Sequence, residues 1–194
     1  CEFAHNTVDY ARHGRLGHNI YIGRGAASFT LRGSHVHGAV TGHNVKTRAA
    51  RNRILYNRIG DERGGASSYL IDVAEPADTL IAGNLLYQGP ATDNPAVISY
   101  AAERRAEHAQ DPPRAVRLIH NTAVSDRPGV FVNNHAPYPL SLRNNLLVGL
   151  DTAGRGSVQA AGDLATEAPG LVDRADFDWR LRAHSPAVDA GLPT

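Results

Sequence analysis

The sequence predicts an all-β fold, a right-handed parallel β-helix of about six coils with a C-terminal cap, and three observations point there. A polar corner residue recurs at coil-length intervals, short β-prone runs sit between these corners, and long helix-period segments are lacking. The corner pattern is apolar, two residues, Asn, one residue, apolar. It appears as Phe3-Asn6-Val8, Ile54-Asn57-Ile59, Ile81-Asn84-Leu86, Leu118-Asn121-Ala123 and Leu142-Asn145-Leu147, with Leu31-Ser34-Val36 as a serine variant. Successive polar positions are 28, 23, 27, 37 and 24 residues apart.

Between corners lie Asn19 to Ile22, Asn44 to Thr47, Tyr69 to Val73, Ala96 to Tyr100 and Val130 to Val132, rich in β-branched and aromatic residues. Each cycle therefore reads strand, turn, strand, Asn corner, loop. A single coil cannot bury its own apolar face, so the coils must stack. Asn at the same corner of each coil can pass side-chain hydrogen bonds along the stack and tolerates the left-handed backbone of a tight corner. The 37-residue step contains the polar run Ala102 to Arg114, a loop expected on one side of the solenoid, with a short helix conceivable around Ala101 to Ala109. An antiparallel sandwich would favour Asn-Gly or Asp-Gly hairpins, and the sequence contains neither dipeptide.

The chain of 194 residues reads as one domain, 1–194, with residues 169–194 as the capping segment. A net charge of +1 argues against a nucleic-acid partner, and no apolar run is long enough for a membrane span. The one cysteine, Cys1, excludes an internal disulfide. The sequence starts within a repeat, which predicts further coils upstream and an open N-terminal coil through which oligomers could form.

The stretch from Phe177 to Gly191, preceded by Pro169 to Asp173, resembles the closing segment of many bacterial secreted β-helix proteins. In that role Trp179 and Leu181 would cover the open end of the core. The stretch from Thr41 to Asn57 resembles the lysine-bearing coil of the alginate lyase and chondroitinase B group of polysaccharide lyases. That resemblance implies a secreted or periplasmic enzyme with Lys46 as Brønsted base and an acidic, uronate-containing polysaccharide as substrate. The group carries an arginine on the following coil, where this chain has Asp72 in Tyr69 to Val73.

Strand alternation supports the same face. With Val45 and Thr47 inward, Asn44, Lys46 and Arg48 project together. β-Elimination needs a cation to neutralise the uronate carboxylate, a base for the neighbouring proton and an acid for the leaving oxygen. Arg48 or Arg24 would supply the cation, and a lysine among cations would have a lowered pKa and serve as base. The acid would come from Tyr21, Tyr100, His18 or His43. Gly17-His18-Asn19 and Gly42-His43-Asn44 occupy matched places one coil apart, so their imidazoles should stack at about the 4.8 Å strand spacing.

Other readings stay open. Asp72 could pair with Arg48. Glu62, Glu75, Glu103 and Asp72 offer carboxylates for glycoside hydrolysis. A non-catalytic glycan-binding solenoid would use the same basic strand. His35 and His37 flank a core valine and offer metal ligands without an accompanying zinc motif. No cofactor is called for, although Asp61, Asp93 and Asn94 could bind Ca²⁺.

Overall fold

A computed structural model describes residues 1–4, 17–62, 64–108 and 111–193. The chain runs through β1 (Glu2–Ala4), β2 (Ile20–Ile22), β3 (Phe29–Arg32), β4 (His35–His37), β5 (His43–Thr47), β6 (Arg51–Leu55) and β7 (Arg58–Gly60). It continues through β8 (Tyr69–Val73), β9 (Asp78–Ala82), β10 (Leu85–Gln88), β11 (Ala96–Tyr100), β12 (Val116–Ile119), β13 (Thr122–Ser125) and β14 (Val130–Asn134). The last strands are β15 (Leu140–Arg143), β16 (Leu146–Val148), β17 (Thr152–Arg155), β18 (Val158–Ala161), β19 (Leu164–Thr166), β20 (Leu171–Asp173) and β21 (Asp178–Leu181). Among its described residues, the long loop holds a 3-10 turn at Ala106–His108.

Among the described residues, every third strand from β1 to β19 pairs in parallel, giving three parallel sheets, while β20 and β21 form a separate antiparallel pair. The first has seven strands in the order β1-β4-β7-β10-β13-β16-β19. The second has six, β2-β5-β8-β11-β14-β17, and the third has six, β3-β6-β9-β12-β15-β18. This is the parallel β-helix that the corner spacing predicts. Its core consists of aligned columns: Val36, Ile59, Leu86, Ala123 and Leu147 in the first sheet, and Leu31, Ile54, Ile81, Leu118 and Leu142 in the third. Each fully buried Leu or Ile contributes roughly 1.5–3 kcal/mol. The corner pattern is thus one residue from the third sheet, the corner itself, and one residue from the first.

The corners form a continuous ladder. The backbone N–H and side-chain Nδ2 of Asn57 both donate to Asn84 Oδ1, those of Asn84 to Asn121 Oδ1, and those of Asn121 to Asn145 Oδ1. Each Nδ2 also reaches a carbonyl of the preceding coil, as from Asn84 to Ile54. The ladder runs on to Asp163 Oδ1, a corner that an Asn pattern does not find. Asn6, the first corner in the sequence, lies outside the described residues.

The left-handed residue is not the Asn but the one before it: Gly33, Tyr56, Gly83, His120, Asn144 and Gly162, with φ between 53° and 69°. The Asn is free to supply hydrogen bonds because its neighbour makes the bend.

The terminal segment folds back onto the solenoid, but along its flank. Trp179 packs with Tyr87, Val124, Val148 and Leu171 in a cluster separate from the core, against the outer face of the first sheet. The Arg58 guanidinium lies 5.2 Å from the Trp179 ring centre. Leu181, expected over the open end of the core, is partly exposed. Trp179 therefore covers outward-facing apolar side chains, and the tail past Gly191 runs beside Asn144, whose Oδ1 accepts from Leu192 N.

Candidate functional site on the second sheet

The second sheet presents a column of charged and aromatic side chains. Register places Tyr21, Lys46, Asp72 and Ser99 side by side on successive strands, while Ile20, Val45, Ile71 and Ile98 line the core. Alternation breaks just before Val45. Asn44 and Val45 are both fully buried, as are Leu70 and Ile71, and Val97 and Ile98. Asn44 consequently does not project with Lys46. Its Oδ1 accepts from Asn19 Nδ2 at 2.9 Å and its own Nδ2 donates to Asp61 Oδ1, making a second corner ladder. Tyr100 also leaves the expected site: it pairs in register with core Val73, and its hydroxyl bonds Ala77 and Tyr138 inside the solenoid.

Lys46 is buried and held by two carboxylates. Its Nζ donates to Asp72 Oδ2 at 2.8 Å and to Glu103 Oε1 at 2.5 Å. Burial by itself would lower the lysine pKa, but Asp72 and Glu103 outweigh it and raise the value above the ordinary lysine range. The lowered pKa expected of a lysine base is therefore not found, because its near neighbours are anions. Asp72 pairs with Lys46 rather than with Arg48.

Arg48 instead donates to Glu103 Oε2 and to the Tyr21 hydroxyl, with its guanidinium 5.3 Å from the Tyr21 ring centre. Glu103 thus bridges Lys46 and Arg48. Burial would raise its carboxyl pKa, but the two cations hold it below the usual carboxylate value. Glu75 is a second anionic hub: Arg24 Nε donates to its Oε1, and Arg48 Nε and Arg105 Nε lie 3.8 and 3.9 Å from the same oxygen. Glu103 and Arg105 come from the inserted loop, which therefore does fold over this face. Tyr21 is 53% exposed, and the side chains of Arg24, Arg105 and Glu103 are also partly open to solvent.

The two histidines stack as their repeat predicts, with ring centres 4.9 Å apart. His18 Nδ1 accepts from His43 N, and His43 Nδ1 accepts from Tyr69 N, so each imidazole caps the backbone of the next coil. The accepting Nδ1 leaves the proton on Nε2. The Nε2 of His43 faces Asp72 Oδ2 at 3.5 Å. Burial, then the charge of Lys46, lowers the His43 pKa to about 4; burial, then His43 and Lys46, lowers that of His18 to about 4. Gly42 is needed for this packing, since a Cβ there would lie 1.7 Å from the Gly17 carbonyl oxygen.

Sequence reasoning missed Tyr69, whose ring packs 5.2 Å from His43, and Arg105. Tyr69 could have been found by carrying the His18 to His43 step one coil further; Arg105 sits in an irregular loop with no register to follow. Among the other candidates, Glu62 lies in the turn after β7 of the first sheet, paired with Arg58 at 2.6 Å. Asp61 Oδ1 accepts from Ser67 N and its Oδ2 from Gly89 N, while Asn94 donates to Ser68 Oγ. Asn94 also donates to Asp93 Oδ1, so these side chains hold the turns they sit in.

Comparison of the chain with known protein families, curated proteins and solved structures finds no match. Among the described residues, no helix is long and apolar enough to cross a membrane.

Proposed function

We propose that the outer face of the second sheet binds an acidic, uronate-containing polysaccharide and cleaves it by β-elimination, in the manner of the polysaccharide lyases that the lysine-bearing coil resembles. The observation that carries this reading is the gathering of four cations, Lys46, Arg48, Arg24 and Arg105, about the carboxylates of Glu75 and Glu103. Glu103 is an internal carboxylate on a partly open site. A substrate uronate can take its place between Lys46 and Arg48 and meet the same two donors.

In this reading the cations stabilise the enolate-like intermediate, where electrostatic stabilisation has most effect. A base takes the proton beside the carboxyl group, its electrons form the new double bond as the C–O bond on the next carbon breaks, and the leaving oxygen takes a proton. Lys46, kept protonated by Asp72, suits the cationic and proton-donating role better than that of base. Tyr21 is the accessible hydroxyl beside Arg48 and takes the base role. His43 holds Asp72 and the backbone in place. Export from a bacterial cell accords with a polymeric substrate of this kind.

The test is incubation with alginate, pectate, chondroitin and a neutral glucan. Cleavage of a polyuronate with ultraviolet-absorbing unsaturated ends, lost in Tyr21→Phe, is the expected result. Reducing ends without that absorbance would point to hydrolysis by Asp72 and Glu103, and binding without cleavage to a glycan-binding solenoid.

A further inference from the structure

A second cluster lies on the outer face of the first sheet, on the strand that immediately precedes the lysine-bearing strand β5. Strand β4 reads His35-Val36-His37; Val36 is in the core, so both imidazoles stand on the outer face. Their rings stack with centres 4.1 Å apart. Glu2 is the register partner of His35 on strand β1, and its Oε1 lies 2.9 Å from His37 Nε2. One ligand atom from each of Glu2, His35 and His37 falls within 4.8 Å of the other two. Glu62, buried, adds its Oε2 at 3.3 Å from His35 Nε2, while its Oε1 is occupied by Arg58.

We propose that Glu2, His35 and His37, with Glu62 beside them, form a binding site for a divalent transition metal, with Zn²⁺ as the best-suited ion. Three features carry this. His35 Nε2 is buried and has only the poorly aligned Glu62 Oε2, 3.3 Å away, as a neighbour, so the ring presents a nitrogen to the cluster. Two imidazoles with one or two carboxylates make the mixed nitrogen and oxygen set that Zn²⁺ takes in tetrahedral sites. Hard cations such as Ca²⁺ and Mg²⁺ prefer all-oxygen shells, so the donor set selects against them. The ligands come from two adjacent strands and the turn after a third, so an ion there would tie β1, whose Glu2 is otherwise exposed, to the two coils that follow.

Isothermal titration of Zn²⁺ into the purified chain, with Ca²⁺ and Mg²⁺ in parallel, tests the site, together with thermal unfolding with and without Zn²⁺. One Zn²⁺ is expected to bind and to raise the melting temperature, with affinity reduced by at least about tenfold in both Glu2→Gln and His35→Gln. Glu2→Gln alters an exposed side chain and serves as the decisive variant where His35→Gln melts early in the absence of metal. No Zn²⁺ binding, undiminished binding in Glu2→Gln, or Ca²⁺ binding as tight as Zn²⁺ would each overturn the proposal.

Discussion

At the scale of single residues, the chemistry of the second sheet is decided by which partner each charge finds. Alternation along β5 is enough to place Lys46 outward, but not to say whether Asp72 meets Lys46 or Arg48. That choice depends on side-chain reach and on Glu103, which arrives from a loop with no repeat. Lys46→Ala should destabilise the fold by about 3 kcal/mol, since it strands Asp72, 3% exposed, without its cation; denaturant unfolding reads this directly. Asn44 and Tyr100 are legible as polar and aromatic strand residues, yet both turn away from solvent. The extra buried residue before Val45 shifts the phase of the pleat for Asn44, and Tyr100 falls in register with Val73. A pattern of period two cannot show an irregularity that only the stacked coils define.

The histidines carry a pH signature. Their folded pKa values lie near 4, below the ordinary 6.5 of an unfolded chain. Between these values the unfolded state binds more protons, so the stability they contribute is complete above about pH 6.5 and is lost as pH falls toward 4. Asp61, raised by burial to about 6, works in the opposite sense over part of the same range, because its folded form gains stability on protonation. Two histidines against one carboxylate leave a net loss toward acid. Melting temperature measured from pH 7 to pH 4 should fall, and fall less in His43→Gln.

At the scale of elements, the corner is the unit that specifies the fold. Asn84 is fully buried, accepts from Asn57 and donates to Ile54 and Asn121, so Asn84→Ala leaves several buried groups unpaired. A cost of about 3 kcal/mol is expected by urea denaturation, with Ser34→Ala, at the end of the ladder, costing clearly less. The left-handed position before each Asn makes a separate prediction. His120 adopts φ 53° on the surface, where glycine meets no Cβ penalty. His120→Gly should therefore raise stability by about 0.5–1 kcal/mol, in contrast to glycine substitution in ordinary strand positions. The Asn repeat revealed the coils because its hydrogen bonds require that residue; the bend before it was hidden because Gly, Tyr, His and Asn all fill it. Asp163 closes the ladder with the same acceptor oxygen and a different letter.

At the scale of the whole molecule, stacking turns matched places in the sequence into columns in space, and both sites follow from that. Gly-His-Asn at one-coil separation gives stacked imidazoles; His-x-His on β4 gives a pair facing Glu2 across one strand. The flank position of Trp179 was not legible, because the outward apolar residues Tyr87, Val124 and Val148 that receive it look like ordinary strand residues. The solenoid thus offers distinct faces: the first sheet, partly covered by the terminal segment, and the second, charged and partly covered by the inserted loop.

Polyuronate cleavage is proposed for the charged outer face of the second sheet, beneath the loop that carries Glu103 and Arg105. Ultraviolet absorbance during incubation with alginate, pectate or chondroitin tests it most directly, comparing the unaltered chain with Arg48→Ala and with Arg117→Ala, an exposed change on the third sheet. Absorbance is expected to rise for the unaltered chain and Arg117→Ala, with a loss of at least about two orders of magnitude in rate for Arg48→Ala. Equal rates in Arg48→Ala and the unaltered chain, or no cleavage of any polyuronate, would contradict it.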